Sequence, residues 1–225
     1  MKPEFKLAVV QIRTETDQIQ TMHKAKRMIA QAASNGAELV VLPEMWNCPY
    51  SKKYFHAVAD NDKGESRDAM SRWAQENGII LVGGSVPEKC GDKLYNTCYV
   101  FDETGREIAR HRKIHLFDVD IKGGVRFKES HSFAPGEDIT VFDTRFGRMG
   151  VEICFDIRFP ELTRAMQVHS QRVFSKPISV RIGRKMGTTM ATMPIQSMNM
   201  PMKNMRAIMK MKQPHLPMPT VATKF

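Results

Sequence analysis

Apolar and polar positions in the first part of the chain follow two periods, and each period predicts a different element. Residues 6–12, 38–42 and 79–83 are short and almost continuously apolar, which is typical of strands covered on both faces. Residues 17–35 and 65–77 carry apolar side chains three and four positions apart, and a glycine follows each segment. These two segments are predicted helices. The alternation of strand and helix predicts an α/β fold.

The pattern changes in the middle of the chain, where strand-like runs follow one another. Residues 94–101 and 106–112 flank the turn sequence Asp-Glu-Thr-Gly and predict a hairpin. Residues 139–143 and 148–153 are two further strand-like runs, joined by a turn at Arg-Phe-Gly. We therefore expect a sheet that is mixed rather than purely parallel.

The net charge of +10 comes from one end of the chain. Residues 1–165 hold 24 basic and 24 acidic side chains, whereas residues 166–225 hold ten basic side chains and no acid. The body of the protein therefore gives no support for a nucleic-acid partner, and none is expected.

Membrane and secretory signals are also missing from the sequence. No apolar run approaches the ~20 residues of a membrane span, and the N-terminus lacks the apolar core of a signal peptide. The four cysteines show no paired spacing, which favours reduced thiols in a cytosol-like compartment. We expect a cytoplasmic protein without a membrane partner, with mitochondria as the other location left open.

A candidate nucleophile stands at the end of the last strand-like run. Residues 149–153 are apolar, Cys154 follows them, and Pro160 suits the first turn of a helix. The positive end of a helix dipole would favour a thiolate at Cys154. A buried structural cysteine is the alternative, and for a lone cysteine it is the commoner case.

Three reactive side chains share the context of Cys154. Glu44, Lys113 and Cys154 each come directly after a predicted strand, and ligand groups in α/β sheets gather at the carboxyl ends of strands. A carboxylate can deprotonate a thiol, a thiolate attacks a carbonyl or nitrile carbon, and an ammonium stabilises the oxyanion that forms. Taken singly, Glu44 could cap a loop and Lys113 could be a solvated strand end.

At four places the sequence resembles the nitrilase, or carbon–nitrogen hydrolase, superfamily. The resemblance lies in these blocks and in their order, and within the superfamily it is strongest to the omega-amidases. The blocks are LPEMWNCPY at 42–50, KLYNT at 93–97 with RHRKIHLFD at 110–118, FKESHSFAPG at 127–136, and GVEICFDIRFPEL at 150–162.

The resemblance implies a role for each matching residue. Cys154 would be the nucleophile, Glu44 the general base, Lys113 the oxyanion stabiliser and Glu129 a second carboxylate that orients the substrate and the lysine. Tyr50 and Arg158 would contact the substrate, since an arginine fits a distal carboxylate through paired hydrogen bonds.

The same resemblance implies a fold, a substrate class and an assembly. The fold would be a four-layer α-β-β-α sandwich, incomplete at its C-terminal end. The substrates would be small amides, the short dicarboxylic monoamides such as α-ketoglutaramate and succinamate. The protein would be a homodimer that uses no metal and no other cofactor.

Two segments are expected in the chain, because the resemblance covers residues 4–168 and then stops. Residues 1–168 would form a truncated carbon–nitrogen hydrolase domain, and residues 169–225 a basic tail rich in Met and Pro. Residues 202–212 could form a basic amphipathic helix, but the surrounding prolines favour a disordered tail. The alternative functions are a catalytically impaired interaction subunit and a binding module that works through the tail.

Two further features of the sequence are a pair of histidines near Lys113 and a glutamate near Cys154. His111 and His115 are four residues apart, yet around a strand end this spacing does not converge on a metal, so we interpret them as polar groups of a loop and pocket. Glu152 precedes the nucleophile by two positions and needs a partner if it faces the core.

Overall fold

The computed structural model describes residues 4–60, 64–122, 126–170, 178–182 and 198–201. Four α-helices, α1 to α4, lie in this part of the chain. Their bounds are α1 Gln18–Ser34, α2 Lys52–Ala57, α3 Glu65–Asn77 and α4 Pro160–Ser170. Two short 3₁₀ helices span Glu129–His131 and Cys154–Arg158. None of the helices in the described ranges is long and apolar enough to cross a membrane.

The described strands are numbered β1 to β12 in chain order. The first six are β1 Glu4–Val9, β2 Leu39–Val41, β3 Ile80–Val82, β4 Val86–Cys90, β5 Lys93–Phe101 and β6 Glu107–Arg112. The last six are β7 Asp118–Asp120, β8 Arg126–Lys128, β9 Val141–Thr144, β10 Gly147–Ile153, β11 Ile178–Ile182 and β12 Met198–Pro201.

The strands form one large sheet, one small sheet and a separate hairpin. The large sheet has the order β12-β1-β2-β3-β5-β4, with β6 paired to β5. Its β1, β2 and β3 are parallel, and β5 is antiparallel to β3, β4 and β6, so the sheet is mixed as predicted. The small sheet has the order β11-β10-β9, and β7 pairs with β8 alone.

Side chains that alternate along β2 and β3 divide the core into two layers. Val40 and Leu81 face α1 and α3, whereas Val41 and Val82 face the small sheet and meet residues such as Val151. On the other side of the small sheet lies α4, close enough that a Cβ on Gly150 would be 2.6 Å from the sulfur of Met166. The order helix, sheet, sheet, helix confirms the four-layer sandwich.

The two long helices follow directly from the sequence pattern. The side chain of Asp17 accepts a hydrogen bond from the backbone of Ile19 at 2.9 Å and caps α1, whose buried stripe includes Ala25 and Ile29. Helix α3 ends at Gly78, which takes the left-handed conformation with φ 58°. Both helices have the predicted positions, because caps and periodicity are local properties of the chain.

Several short elements were not predicted: α2, β4, β7 and β8. Strand β4 contains Pro87 and lies at the edge of the large sheet, where a missing backbone donor is tolerated. Within residues 169–225, β11 pairs with β10 in parallel and β12 pairs with β1 in antiparallel. The proposed amphipathic helix at 202–212 lies outside the described residues.

Candidate active site

Glu44 sits on a turn after β2 that the loop between β3 and β4 holds in place. The backbone N–H of Met45 donates to the hydroxyl of Ser85 at 3.1 Å, and the indole of Trp46 donates to the carbonyl of Gly83 at 2.9 Å. Gly84 has φ 58°, and a Cβ there would lie 2.1 Å from the carbonyl oxygen of Pro43. A glycine is therefore required for this loop to reach the turn that carries Glu44.

Lys113 follows β6 directly, as predicted, and its ammonium is completely buried. Its Nζ donates to Glu44 Oε1 at 3.0 Å and to Glu129 Oε2 at 2.8 Å. Burial alone would lower the pKa of Lys113, but the carboxylates of Glu44 and Glu129 outweigh it and raise that pKa. Lys113 is thus a fixed cation, and one of its three N–H groups has no acceptor among the described residues.

Glu129 lies in the first 3₁₀ helix, is completely buried, and accepts four hydrogen bonds. The hydroxyl of Tyr50 and the amide of Asn96 donate to Oε1 at 3.1 and 3.0 Å. Lys113 and the backbone of Phe117 donate to Oε2 at 2.8 and 2.7 Å. Two donors at each oxygen hold this carboxylate in place and leave it little room for a further hydrogen bond.

Glu44 is less enclosed than Glu129. It receives Lys113 and the amide of Asn96, both at Oε1 and both at 3.0 Å. Burial and this carboxylate both raise the pKa of the Cys154 thiol, which places the thiol close to Glu44. Of the two glutamates, Glu44 is therefore the one placed to accept the proton of the thiol.

Cys154 has φ 48°, a left-handed conformation that is uncommon for a residue other than glycine. It follows β10 directly and α4 begins at Pro160, both as predicted, and Cys154 opens a five-residue 3₁₀ helix between them. Burial and the carboxylate of Glu44 raise the pKa of Cys154 to about 12, against the opposing effect of Lys113.

The pKa of Cys154 is raised, whereas a helix dipole alone would favour the thiolate, and the charges of the site give the reason. Glu44 and Glu129 bring two negative charges and Lys113 brings one positive charge, so the site is already anionic before the thiol ionises. Loss of a proton to solvent would add a second net negative charge in a buried place, which is unfavourable. Transfer of that proton to Glu44 leaves the net charge unchanged.

Asp156 joins the turn of Cys154 to the segment that follows Lys113. Its buried carboxylate accepts from the backbone of Ile153 at 3.0 Å and from both the backbone and Nδ1 of His115 at 2.8 Å. Nε2 of His111 lies 3.5 Å away, at the limit of a hydrogen bond. Although burial opposes them, these hydrogen bonds lower the pKa of Asp156, which remains an anion.

The two histidines thus serve as hydrogen-bonding groups, as interpreted from the sequence. Nδ1 of His111 pairs with the hydroxyl of Thr140 at 2.9 Å, and the ring of His115 stacks on Phe159 at 3.7 Å. The part of the chain that the structure describes holds no group of three or more His, Cys, Asp or Glu side chains arranged for a metal. The buried Glu152 has a partner in the hydroxyl of Thr163 on α4.

The structure brings five of the six predicted residues together: Glu44, Tyr50, Lys113, Glu129 and Cys154. Burial and the neighbouring carboxylates Glu44 and Glu129 raise the pKa of Tyr50, so its hydroxyl stays protonated and donates. Arg158 is different. It is exposed at the end of the second 3₁₀ helix, and it makes no hydrogen bond or ion pair with the described residues of this cluster.

Sequence reasoning missed two buried side chains of the site, Asn96 and Asp156. Asn96 occupies an interior position of β5, and Asp156 is the second residue after Cys154. The signal available for Asn96 was a polar residue inside a predicted strand. The signal for Asp156 was a carboxylate next to the candidate nucleophile. Neither signal shows which groups the side chain reaches.

A carbon–nitrogen hydrolase family profile matches residues 6–207 of the chain, which extends beyond residue 168, where the resemblance read from the sequence ended. Omega-amidase NIT2 of Xenopus tropicalis is 45% identical over 161 residues, which are 72% of this chain and 58% of that protein. Omega-amidase NIT2 of Homo sapiens is 44% identical over 168 residues, which are 75% of this chain and 60% of that protein. The chain spans about three fifths of the length of these relatives.

Solved structures of the nitrilase superfamily share the fold. Nit3 of Saccharomyces cerevisiae superposes with a TM-score of 0.67 at 37% identity, covering 75% of this chain and 62% of that protein. The NitFhit protein of C. elegans superposes with a TM-score of 0.66 at 29% identity, covering 75% of this chain and 42% of that protein. These likenesses confirm the predicted fold class.

Proposed function

The chain belongs to the carbon–nitrogen hydrolase family, and from this premise we propose that it hydrolyses the terminal amide of short dicarboxylic monoamides through a thioester on Cys154. One observation carries the proposal. The thiol of Cys154 lies against the carboxylate of Glu44, and the buried ammonium of Lys113 joins that carboxylate to Glu129. The names of the relatives, omega-amidases, supply the substrate class.

The first half of the reaction forms the thioester. Glu44 takes the proton of Cys154 as the sulfur attacks the amide carbon, so no free thiolate has to accumulate. The free N–H of Lys113 stabilises the oxyanion of the tetrahedral intermediate. Protonated Glu44 then gives its proton to the leaving nitrogen, the C–N bond breaks, and ammonia departs.

The second half of the reaction hydrolyses the thioester. Glu44, again a carboxylate, takes a proton from water as the water oxygen attacks the thioester carbon. The C–S bond breaks, Glu44 returns its proton to the sulfur so that the thiol of Cys154 is restored, and the product leaves as a carboxylic acid that ionises in water. Glu129 keeps its charge throughout and fixes the ammonium of Lys113, while Tyr50 and Asn96 hold Glu129.

Ammonia release is the direct test of the proposal. We expect the chain to release ammonia from succinamate and α-ketoglutaramate far faster than from butyramide, which has a similar length but lacks the distal carboxylate. Release from butyramide at the same rate would contradict the dicarboxylic substrate class. No release from any short amide would favour the alternative of a catalytically impaired subunit.

Arg158 is our candidate for binding the distal carboxylate, since it is exposed four positions after the nucleophile. Arg158→Met removes the charge and keeps most of the length of the side chain. We expect KM for succinamate to rise about tenfold or more with a smaller change in kcat, because the carboxylate lies away from the reacting carbon. Butyramide hydrolysis should not change. An unchanged KM for succinamate would assign carboxylate binding to another residue.

Lys113→Arg keeps the charge of the side chain but changes its shape and the directions of its donors. We expect kcat to fall about 10²–10³-fold with a milder change in KM, because the lost contact forms mainly as the oxyanion develops. Steady-state kinetics with succinamate measures both constants. Arg112 is the last residue of β6 and precedes Lys113, and it pairs with Glu88 of β4 at 2.8 Å. Arg112→Lys is therefore a matched control. Near-normal turnover in Lys113→Arg would contradict the assigned role.

We also propose that the protein is a homodimer, as the resemblance implies, and that it is cytoplasmic or mitochondrial. The apolar side chains of Ile157 and Val168, 39% and 58% exposed, lie on the second 3₁₀ helix and on α4 and are available for such an interface. Sedimentation velocity would distinguish the dimer from a monomer.

A further inference from the structure

Asn96 is completely buried on β5, between the two carboxylates of the site. Its amide nitrogen donates to Glu44 Oε1 and to Glu129 Oε1, each at 3.0 Å. Its Oδ1 has no hydrogen-bond partner within the described ranges of the chain. An unpaired buried carbonyl destabilises the folded state, so the orientation of this amide requires an explanation other than stability.

The two carboxylates give that explanation. Rotating the amide of Asn96 by half a turn would place Oδ1 against both negative oxygens, and would leave Lys113 as the donor to Glu44 Oε1 and Tyr50 as the donor to Glu129 Oε1. The observed orientation gives one N–H to each glutamate and leaves the carbonyl unpaired as a consequence. The backbone of Asn96 also fixes the position of Lys113, because the backbone N–H of Lys113 donates to the backbone carbonyl of Asn96 at 2.8 Å.

We propose that Asn96 is a positioning residue that keeps the carboxylate of Glu44 in place to accept the proton of Cys154 and holds it beside Glu129 around the ammonium of Lys113. The proposal rests on the proposed function only in taking Glu44 as the base for Cys154. A hydrogen bond to a carboxylate stabilises its anion, so each N–H of Asn96 favours the charged form of one glutamate. Without these donors, Glu44 would keep its hydrogen bond from Lys113, whereas Glu129 would keep those from Tyr50, Lys113 and Phe117.

Titratable groups from several elements face Glu44. They are Tyr50 beyond the turn, Lys113 after β6, Glu129 in the first 3₁₀ helix and Cys154 after β10. Asn96 is the uncharged member of this group, and replacing it leaves the four titratable side chains in place. A change in the pH dependence can therefore be assigned to the lost donors.

Alkylation of Cys154 by iodoacetamide as a function of pH tests the proposal without any amide substrate. The exposed Cys90 is replaced by serine in every variant, and the peptide that contains Cys154 is quantified by mass spectrometry. At neutral pH the reaction depends on Glu44 accepting the proton of the thiol. The alkylation rate should therefore fall on the acidic side of the pH profile, where the carboxylate of Glu44 can no longer accept that proton. We call this fall the acid limb.

We expect Asn96→Ser to move the acid limb up by about one pH unit, so that alkylation below the limb slows about tenfold, because one charge-assisted hydrogen bond is lost. Asn96→Asp, which keeps the size of the side chain and adds a third carboxylate, should move the limb further. In a Glu44→Gln background, Asn96→Ser should have no effect on the limb, because the base whose equilibrium it alters is absent.

Asn47 offers a matched control. It is also completely buried, its amide donates to the hydroxyl of Ser66 at 3.0 Å, and its Oδ1 is likewise unpaired among the described residues. Asn47→Ser should lower thermal stability about as much as Asn96→Ser and leave the pH profile of Cys154 unchanged. Equal profiles for the wild type and Asn96→Ser would overturn the proposal.

Folding and substrate turnover are separate outcomes of the experiment. Thermal unfolding is measured for each variant, and if both Asn96→Ser and Asn96→Asp fail to fold, Asn96 is a structural residue and the proposal is overturned. If the limb moves as expected but no ammonia is released from any amide, the substrate assignment fails and the positioning role of Asn96 stands.

Discussion

Cys154→Ala is expected to abolish ammonia release from succinamate, with a loss of about 10⁴-fold or more, because the atom that forms the thioester is removed. The ion pairs of Lys113 with Glu44 and Glu129 do not involve the sulfur, so the site keeps its structure. We expect the free energy of unfolding to change by no more than about 1 kcal/mol.

Mass spectrometry distinguishes this role from a structural one. Wild-type protein quenched in acid during turnover should carry the acyl group on the peptide of Cys154. Cys48 and Cys98 are buried and Cys90 is exposed, so Cys90 is the control for unspecific acylation. An acyl group on Cys48 or Cys98 in place of Cys154, or full activity in Cys154→Ala, would show that the nucleophile lies elsewhere.

Glu44→Gln is expected to lower turnover about 10²–10⁴-fold and, at the same time, to make the thiol of Cys154 more acidic. The two effects have different causes. Hydrolysis is lost because the amide of glutamine cannot accept the proton of the thiol. The pKa of Cys154 falls because the nearby negative charge that raises it is gone, while Lys113 still favours the thiolate. We expect a decrease of about one to two pH units in this pKa.

Ultraviolet absorbance of the thiolate during a pH titration measures the second effect, with Cys154→Ala as the baseline. Glutamine keeps an oxygen that can accept from Lys113 and Asn96, so the variant should remain folded. Thermal unfolding provides that check. A thiol that becomes less acidic in Glu44→Gln, or a variant that keeps its turnover, would contradict the role of Glu44 as the base.

The local pattern of the chain was sufficient to predict several of the helices and strand ends that position the residues of the site. Helices α1 and α3 lie where periodicity, the cap at Asp17 and the glycine at Gly78 predict them. The positions of Lys113 and Cys154 directly after strands were predicted for the same reason, since a strand end is encoded by a few neighbouring residues. The early β-strands, apolar on both faces, required a layer on each side, and the structure has these layers.

The sequence could not show how the reactive groups are shared between the two sheets. Glu44 and Lys113 come from the large sheet, whereas Cys154 follows β10 of the small sheet. The prediction of one common sheet edge therefore described only part of the arrangement. Packing of one sheet on the other brings the thiol to the carboxylate, and packing depends on contacts between distant parts of the chain.

The sequence by itself determined which residue types stand at the strand ends, and the tertiary structure decided their protonation and their partners. Lys113 meets Glu44 across 69 positions of the chain, and Asn96 meets Glu44 across 52. A pKa depends on burial and on charges within a few ångströms, and these are fixed only when such distant segments pack together. For this reason the local pattern favoured a thiolate at Cys154, while in the folded site burial and the carboxylate of Glu44 favour the thiol.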